Sequence, residues 1–150
     1  MLSHTSEYAL RALSKLAQLS RGESLFGREL AQSTSIPPKY LSKIMLSLRN
    51  AGLVMDTRGT GGAYMLLRPA DAIHLIDVVQ LFEGPAARPQ CLLGAHKECS
   101  EKDPCTAHES WGRVRKTYLD FLEHTTLYDI SHQRLHESQI TPARRGGRPQ

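Results

Sequence analysis

The chain has 150 residues, of which 40% are hydrophobic and 23% charged, with a net charge of +4 and a pI near 9.1. These values suit one compact domain with an appendage and favour an anionic partner such as DNA. They exclude a membrane span, because a charged residue interrupts every apolar run, and the first seven residues lack the basic start and apolar core of a signal peptide.

A cytoplasmic location is therefore the expectation. Residues 6–20 read as a helix: Ala9, Ala12, Leu13, Leu16, Ala17 and Leu19 recur at three-and-four spacing, with Arg11, Lys15 and Gln18 on the other side. Gly22 breaks the run. Glu7 stands at the positive end of this helix, where a carboxylate is stabilised. A second, short helix starts at Phe26-Gly27 and ends near Ser33, with Gly27 as its N-cap and Phe26 folded back on Ala31 as a staple. Thr34-Ser35-Ile36 makes a tight connection. Pro37 and Pro38 open a third helix, whose Leu41, Ile44, Met45 and Leu48 form a continuous apolar stripe. Gly52 closes it as a left-handed cap.

Two short helices joined by a tight turn, with basic residues on the polar face, make a helix-turn-helix. In that reading the third helix lies in the major groove, and its first turns meet base edges and phosphates. The alternative is an ordinary helical hairpin with a solvated face. The next stretch favours the first reading. Leu53–Thr57 and Ala63–Leu67 read as strands flanking the glycine-rich turn 58–62, and a hairpin after a recognition helix is a wing. Its glycines let the turn approach a phosphate backbone, and Arg58 can read a narrow groove by charge. The DNA-facing set is then Arg28 from the second helix; Pro37, Pro38, Lys39, Tyr40, Ser42, Lys43 and Arg49 from the third; and Arg58, Gly59, Thr60 and Gly61 from the wing.

Asp71–Glu83 gives a further helix with Leu75, Val78, Val79 and Phe82 as its stripe, ended by Gly84-Pro85. A polar, turn-prone loop follows. It holds all three cysteines, Cys91, Cys99 and Cys105, and His108 comes three positions after the last. A loop that cannot bury an apolar face needs another source of order, and thiols and an imidazole around a metal would supply it. An odd thiol count in a cytoplasmic chain favours ligation over cross-linking. Thr106 to about His124 reads as a long helix with Trp111, Val114, Tyr118, Phe121 and Leu122 on one side. A lone long amphipathic helix usually pairs with a copy of itself, which predicts a symmetric homodimer. A short final turn spans 126–130, and 131–150 reads as a disordered basic tail. The fold expectation is mainly α: a winged helix-turn-helix over 1–84 with a two-stranded wing, a cysteine loop over 85–105, a dimerisation helix over 106–130, and the tail.

The segments Glu7–Leu13, Leu30-Ala31, Ile36–Leu41, Leu48–Val54, Arg58–Tyr64, Asp77-Val78-Val79 and Glu83-Gly84 together resemble the Rrf family of winged-helix regulators, which includes iron–sulfur sensors. The likeness runs from about residue 2 to 130. It implies a homodimeric transcriptional regulator, a repressor in the expected case, whose iron–sulfur cluster sets its affinity for a double-stranded DNA operator. Carried over by position, Cys91, Cys99 and Cys105 are the cluster thiolates. The seven-residue gap between the first two is longer than such members often have; the five-residue gap between the last two matches. The resemblance leaves the fourth ligand open. An IscR-like site uses His108 and a 2Fe–2S cluster. An NsrR-like site uses an acidic residue from the partner subunit and a 4Fe–4S cluster; Glu7 matches that position, where Asp is typical. Three Cys and one His also make a closed structural zinc site, and two of the thiols could form a disulfide switch without metal. No nucleophile–base pair, cofactor fingerprint or acid pair points to an enzyme.

Overall fold

The computed structural model describes residues 2–57, 62–87, 90–94 and 100–132. The wing-tip residues Arg58, Gly59, Thr60 and Gly61, the middle cysteine Cys99 and the tail from 133 onward lie outside the described residues.

Among the described residues, six helices and three short strands follow one another as α1 (His4–Ala17), β1 (Leu25–Phe26), α2 (Gly27–Thr34), α3 (Pro38–Asn50), β2 (Val54–Thr57), β3 (Ala63–Leu66), α4 (Leu75–Glu83), α5 (His108–His124) and α6 (Leu127–His132). One 3-10 turn at Ala70–Ala72 precedes α4 and another at Gly84–Ala87 follows it. α1 begins two residues earlier than its apolar pattern suggests, because the Ser3 hydroxyl caps it by accepting from the Ser6 N–H at 3.2 Å. Its buried face is Ser6, Ala9, Ala12, Leu13 and Leu16. All four stripe residues of α3 are buried, and Gly52, at φ 74°, turns the chain out of the helix as expected.

Four local expectations differ from the structure. Phe26, not Gly27, is the N-cap of α2, and the Glu29 carboxylate accepts from the Phe26 N–H at 3.2 Å. Phe26 is about half exposed rather than stapled to Ala31, with the Arg28 guanidinium 5.8 Å from its ring centroid. The helix expected over 71–83 is a 3-10 turn followed by α4 from Leu75. The chain is extended at His74, which bridges to Thr126, and the Leu75 N–H donates to the Thr125 carbonyl. At the far end α6 runs on to His132, so residues 131–132 belong to a helix rather than to the tail.

The wing is also larger than two strands. β1 pairs antiparallel with β3 (Leu25 with Tyr64, Phe26 with Ala63), giving a three-stranded sheet in the order β1-β3-β2. A two-residue strand carries no periodicity, so its partner defines it.

The main core joins α1, α2, α3, Leu53, Val54, Ile73, Val78 and, from α6, Leu127. A second, smaller cluster holds Leu75, Ile76, Val79, Ala87 and Leu122. α4 thus sits between the two, with Val78 facing one and Val79 the other. α5 enters only the smaller cluster, through Leu122. α6 returns the chain to the main core. Among the described residues, no helix is long and apolar enough to cross a membrane.

Candidate nucleic-acid interface and cysteine site

The first two turns of α3 present an exposed face. Pro37, Pro38, Lys39, Tyr40, Ser42 and Lys43 are all solvent-facing while Leu41 and Ile44 point inward, as helical spacing requires. Proline at the start costs no hydrogen bond, because a first-turn N–H has no intrahelical partner. The turn before it reverses at Ser35, whose φ of 55° is unusual for a residue with a side chain; the Ile36 N–H donates to the Ala31 carbonyl across it. Among the face residues, Lys39, Lys43 and the half-exposed Tyr40 project freely enough to meet a duplex. The Ser42 hydroxyl is turned back onto the Pro38 carbonyl at 3.0 Å. Arg49 is tied to Asp56 of β2 at 2.9 Å, so it braces α3 against the wing.

The wing base is locked to α2. The Gly27 N–H donates to the Gly62 carbonyl at 3.0 Å, and a Cβ on Gly27 would sit 3.3 Å from the Tyr64 ring. Only a residue without a side chain fits that approach without a shift. Between α2, the start of α3 and this wing base lies a cleft of about 680 Å³, lined by Arg28, Gln32, Ser35, Pro38, Ser42 and Tyr64 among others. Arg28, expected at the interface, is exposed on its rim.

No local pattern shows how α1 reaches this surface. Tyr8 meets Tyr40 edge-on with ring centroids 6.3 Å apart. Arg11 lies 5.4 Å from the Tyr8 ring centroid and donates to the Thr34 carbonyl at 3.1 Å, near the end of α2. Those partners are 32 and 23 residues away in the chain, beyond any local pattern.

The cysteine site lies at the head of α5. The Cys91 and Cys105 sulfurs stand 3.6 Å apart, well beyond the roughly 2.05 Å of a disulfide bond. Two thiolates sharing one tetrahedral ion, with metal–sulfur bonds of about 2.3 Å, stand about 3.8 Å apart. The pair therefore fits joint ligation of one ion. Cys105 is fixed to α5 by its carbonyl, which accepts from the His108 N–H at 3.0 Å. His108 is the first residue of that helix and is half-buried. Cys91 is reached from the same turn of α5, because the Trp111 indole N–H donates to the Gln90 carbonyl at 2.6 Å. Helical spacing places Trp111 on the pairing stripe; its bond to Gln90 has no local signal in the sequence. Glu7 lies on α1, with its carboxylate 3.4 Å from His4 Nδ1 and its side chain nearly half exposed. Among the described residues, no group of three or more Cys, His, Asp or Glu side chains closes into a metal site.

α5 leans on α4 at its middle. Burial, and secondarily Glu83 of α4, push the Tyr118 hydroxyl above its ordinary pKa. At its end, His74 Nδ1 lies 2.9 Å from the Glu123 carbonyl, closing one of the acceptors left open at a helix C-terminus.

A family model described as Rrf2, an iron-dependent transcriptional regulator, matches residues 2–133. A protein named an HTH-type transcriptional regulator in Aquifex aeolicus is 33% identical over 147 residues, covering 97% of this chain and 99% of that one. Among solved structures, the oxidized form of Staphylococcus aureus CymR superposes with a TM-score of 0.71 at 28% identity, over 89% of this chain and 97% of that one. IscR of T. potens does so with a TM-score of 0.67 at 25% identity, over 87% and 85%. The exposed helix face, the wing locked beside it and the match across nearly all of the described fold lead to one assignment: the chain belongs to the Rrf2 family and is a DNA-binding transcriptional regulator, not an enzyme.

Proposed function

We propose that this regulator is a cytoplasmic homodimer, acting as a repressor, whose grip on operator DNA is set by an iron–sulfur cluster held by Cys91, Cys99, Cys105 and His108. The observation that carries the reading is the 3.6 Å approach of the Cys91 and Cys105 sulfurs at the head of α5. A pair this close suits two thiolates on one iron, as in a 2Fe–2S centre. In a 4Fe–4S cube each iron takes one protein ligand, and the thiolates stand further apart. His108 is therefore favoured as fourth ligand over Glu7 of the partner subunit. Its place on the first turn of α5, bonded through its N–H to the Cys105 carbonyl, keeps it beside the last thiol.

When bound, the cluster supplies a centre that oxidants, nitric oxide or iron depletion can alter, and a non-cysteine ligand makes it easier to alter. The chain's own part is mechanical. α5 buries one residue in its own subunit and leaves Val114 and Phe121 half exposed, a face suited to a second copy. Two α3 helices held by paired α5 helices would meet successive major grooves, roughly one helical turn apart. Lys39 and Lys43 contact phosphates, Tyr40 reaches base edges or sugars, and Arg58, Gly59, Thr60 and Gly61 are assigned to the DNA backbone from the sequence alone. A change at the cysteine loop moves the head of α5 and so the spacing of the two reading heads.

The test is an absorption spectrum with iron and sulfide content on anaerobically prepared protein, repeated on His108→Ala and Glu7→Ala, alongside operator binding with and without the cluster. The reading expects visible absorption that His108→Ala weakens and Glu7→Ala spares, and a difference in affinity between the two forms. Protein that stays colourless after reconstitution with iron and sulfide would overturn it.

A second reading is favoured by the same sulfur pair. Here Cys91 and Cys105 close into a disulfide with no metal, the sulfurs moving together from 3.6 Å as an oxidised low-molecular-weight disulfide takes up the two electrons and two protons and leaves as two thiols. Counting thiols with and without reductant in metal-free protein separates it from the first.

A further inference from the structure

Cys91 sits on a stretch that apolar packing does not hold. Leu92 and Leu93, which follow it, are each 57% exposed, and Gly94 turns back by donating its N–H to the Cys91 carbonyl at 3.2 Å. Cys105, by contrast, is joined to the start of α5 through the His108 N–H. The two sulfurs nonetheless meet across 14 positions of chain. Trp111 bridges that difference. It lies three residues beyond His108, so it faces the same side of the first turn of α5. Its indole N–H reaches the carbonyl of Gln90, the residue directly before Cys91, at 2.6 Å. Its backbone N–H is committed to the helix, donating to the Ala107 carbonyl at 2.9 Å.

We propose that Trp111 is a positioning residue of the cysteine site, whose indole N–H holds the Gln90 carbonyl and so sets Cys91 at its distance from Cys105. The bond runs from a loop that lacks a core to a helix that has one. A carbonyl fixed one residue before a thiol restricts where that thiol can swing. The same bond makes Trp111 the point at which the state of the loop is felt by α5. The proposal rests on the reading that Cys91 and Cys105 act together. It does not depend on which centre they hold.

The experiment uses full-length protein carrying Cys99→Ser, which leaves Cys91 and Cys105 as its two thiols, in metal-free glutathione redox buffer. One thiolate attacks oxidised glutathione and releases one reduced glutathione; the second thiolate displaces another, so that dithiol plus one oxidised glutathione yields disulfide plus two reduced. The equilibrium constant reports how well the two sulfurs are held together. Two changes remove the indole N–H. One is Trp111→Phe; the other is global replacement of tryptophan by benzothienylalanine, which keeps the bicyclic shape and is possible because the chain has a single Trp. The expected result is a constant lowered about fivefold, the worth of one net hydrogen bond and about 20 mV for a two-electron couple. Urea unfolding of the reduced analogue protein should remain a single cooperative transition, which shows that the fold is kept. If the analogue keeps the parent's constant, the bond does not position Cys91 and the proposal fails, whatever Trp111→Phe does. Because no iron enters the measurement, a protein that takes up no cluster would sink the proposed function while leaving this result to be judged by itself.

Discussion

α3 and α5 are both amphipathic, and they are held in opposite ways. α3 has 13 residues and buries Leu41, Ile44, Met45 and Leu48; α5 has 17 and buries Leu122. A fully buried aliphatic side chain contributes about 1.5–3 kcal/mol, so α3 is fixed by the core of its own subunit. α5 is fixed at isolated points: Leu122 and the partly buried Tyr118 in the small cluster, Trp111 to Gln90 at its head, and His74 to the Glu123 carbonyl. On the proposed function, the helix that reads DNA must not move within its domain and the helix that carries the signal must be able to; a helix with few anchors can respond to changes at its head.

The largest effect expected from this contrast is on stability. Leu48→Ala, at a fully buried position, should cost about 2–5 kcal/mol in urea unfolding. Val114→Ala, on the open face of α5, should cost well under 1 kcal/mol in a monomeric background. Equal losses would show that α5 is as deeply anchored as α3 and break the contrast. The next effect is on assembly. Val114→Asp with Phe121→Asp, two charges one heptad apart on the half-exposed face, should convert a dimer to a monomer in sedimentation. Operator affinity should then fall about a hundredfold or more through lost avidity. A dimer that survives both charges would place the pairing surface elsewhere.

How much of this was legible in the sequence follows the same division. The buried stripe of α3 and most of those of α1 and α4 were readable because helical spacing decides which residues face a core; Phe82, Ala17 and Leu19 are only partly buried, and Ile76 and Ser6 are buried outside the expected stripes. The left-handed Gly52 and the wing hairpin were readable because turn chemistry is local. β1, the break at His74 and the edge contact of Tyr8 with Tyr40 were not, since each depends on a segment far away in the chain. At the cysteine site, the identity of the thiols was plain, but their pairing was not. Nothing in the spacing says that Cys91 meets Cys105, and nothing in a stripe of aromatic residues says that Trp111 turns its N–H to Gln90.

A smaller effect sharpens the DNA-facing side of the comparison. Lys39 is exposed on the first turn of α3. If it meets a phosphate, Lys39→Ala should weaken binding to operator and to unrelated duplex alike. It should also reduce the slope of log K against log salt by about 0.9 per subunit contact. A loss confined to operator would instead make Lys39 a reader of bases. Leu48→Ala, by contrast, should leave the salt slope of the folded fraction unchanged, because it acts inside the domain.

The smallest effect tests where α5 is handed back to the core. At the start of α6, Thr126 and Asp129 cap each other: the Asp129 carboxylate accepts from the Thr126 N–H at 2.8 Å and from its hydroxyl at 2.7 Å. These bonds, the backbone one first and the hydroxyl second, hold the Asp129 carboxyl below its ordinary pKa. A depressed carboxylate adds stability that is fully present above its unfolded pKa of about 3.9 and is lost as pH falls through the folded value. Asp129→Asn keeps the shape and removes the charge. The parent should therefore unfold at higher urea than the variant at neutral pH, and the gap should close as the pH drops below about 4. No gap at neutral pH would mean that shape, which the variant keeps, and not charge, holds this corner. The return of Leu127 to the main core would then be the stronger anchor of α5's C-terminal end.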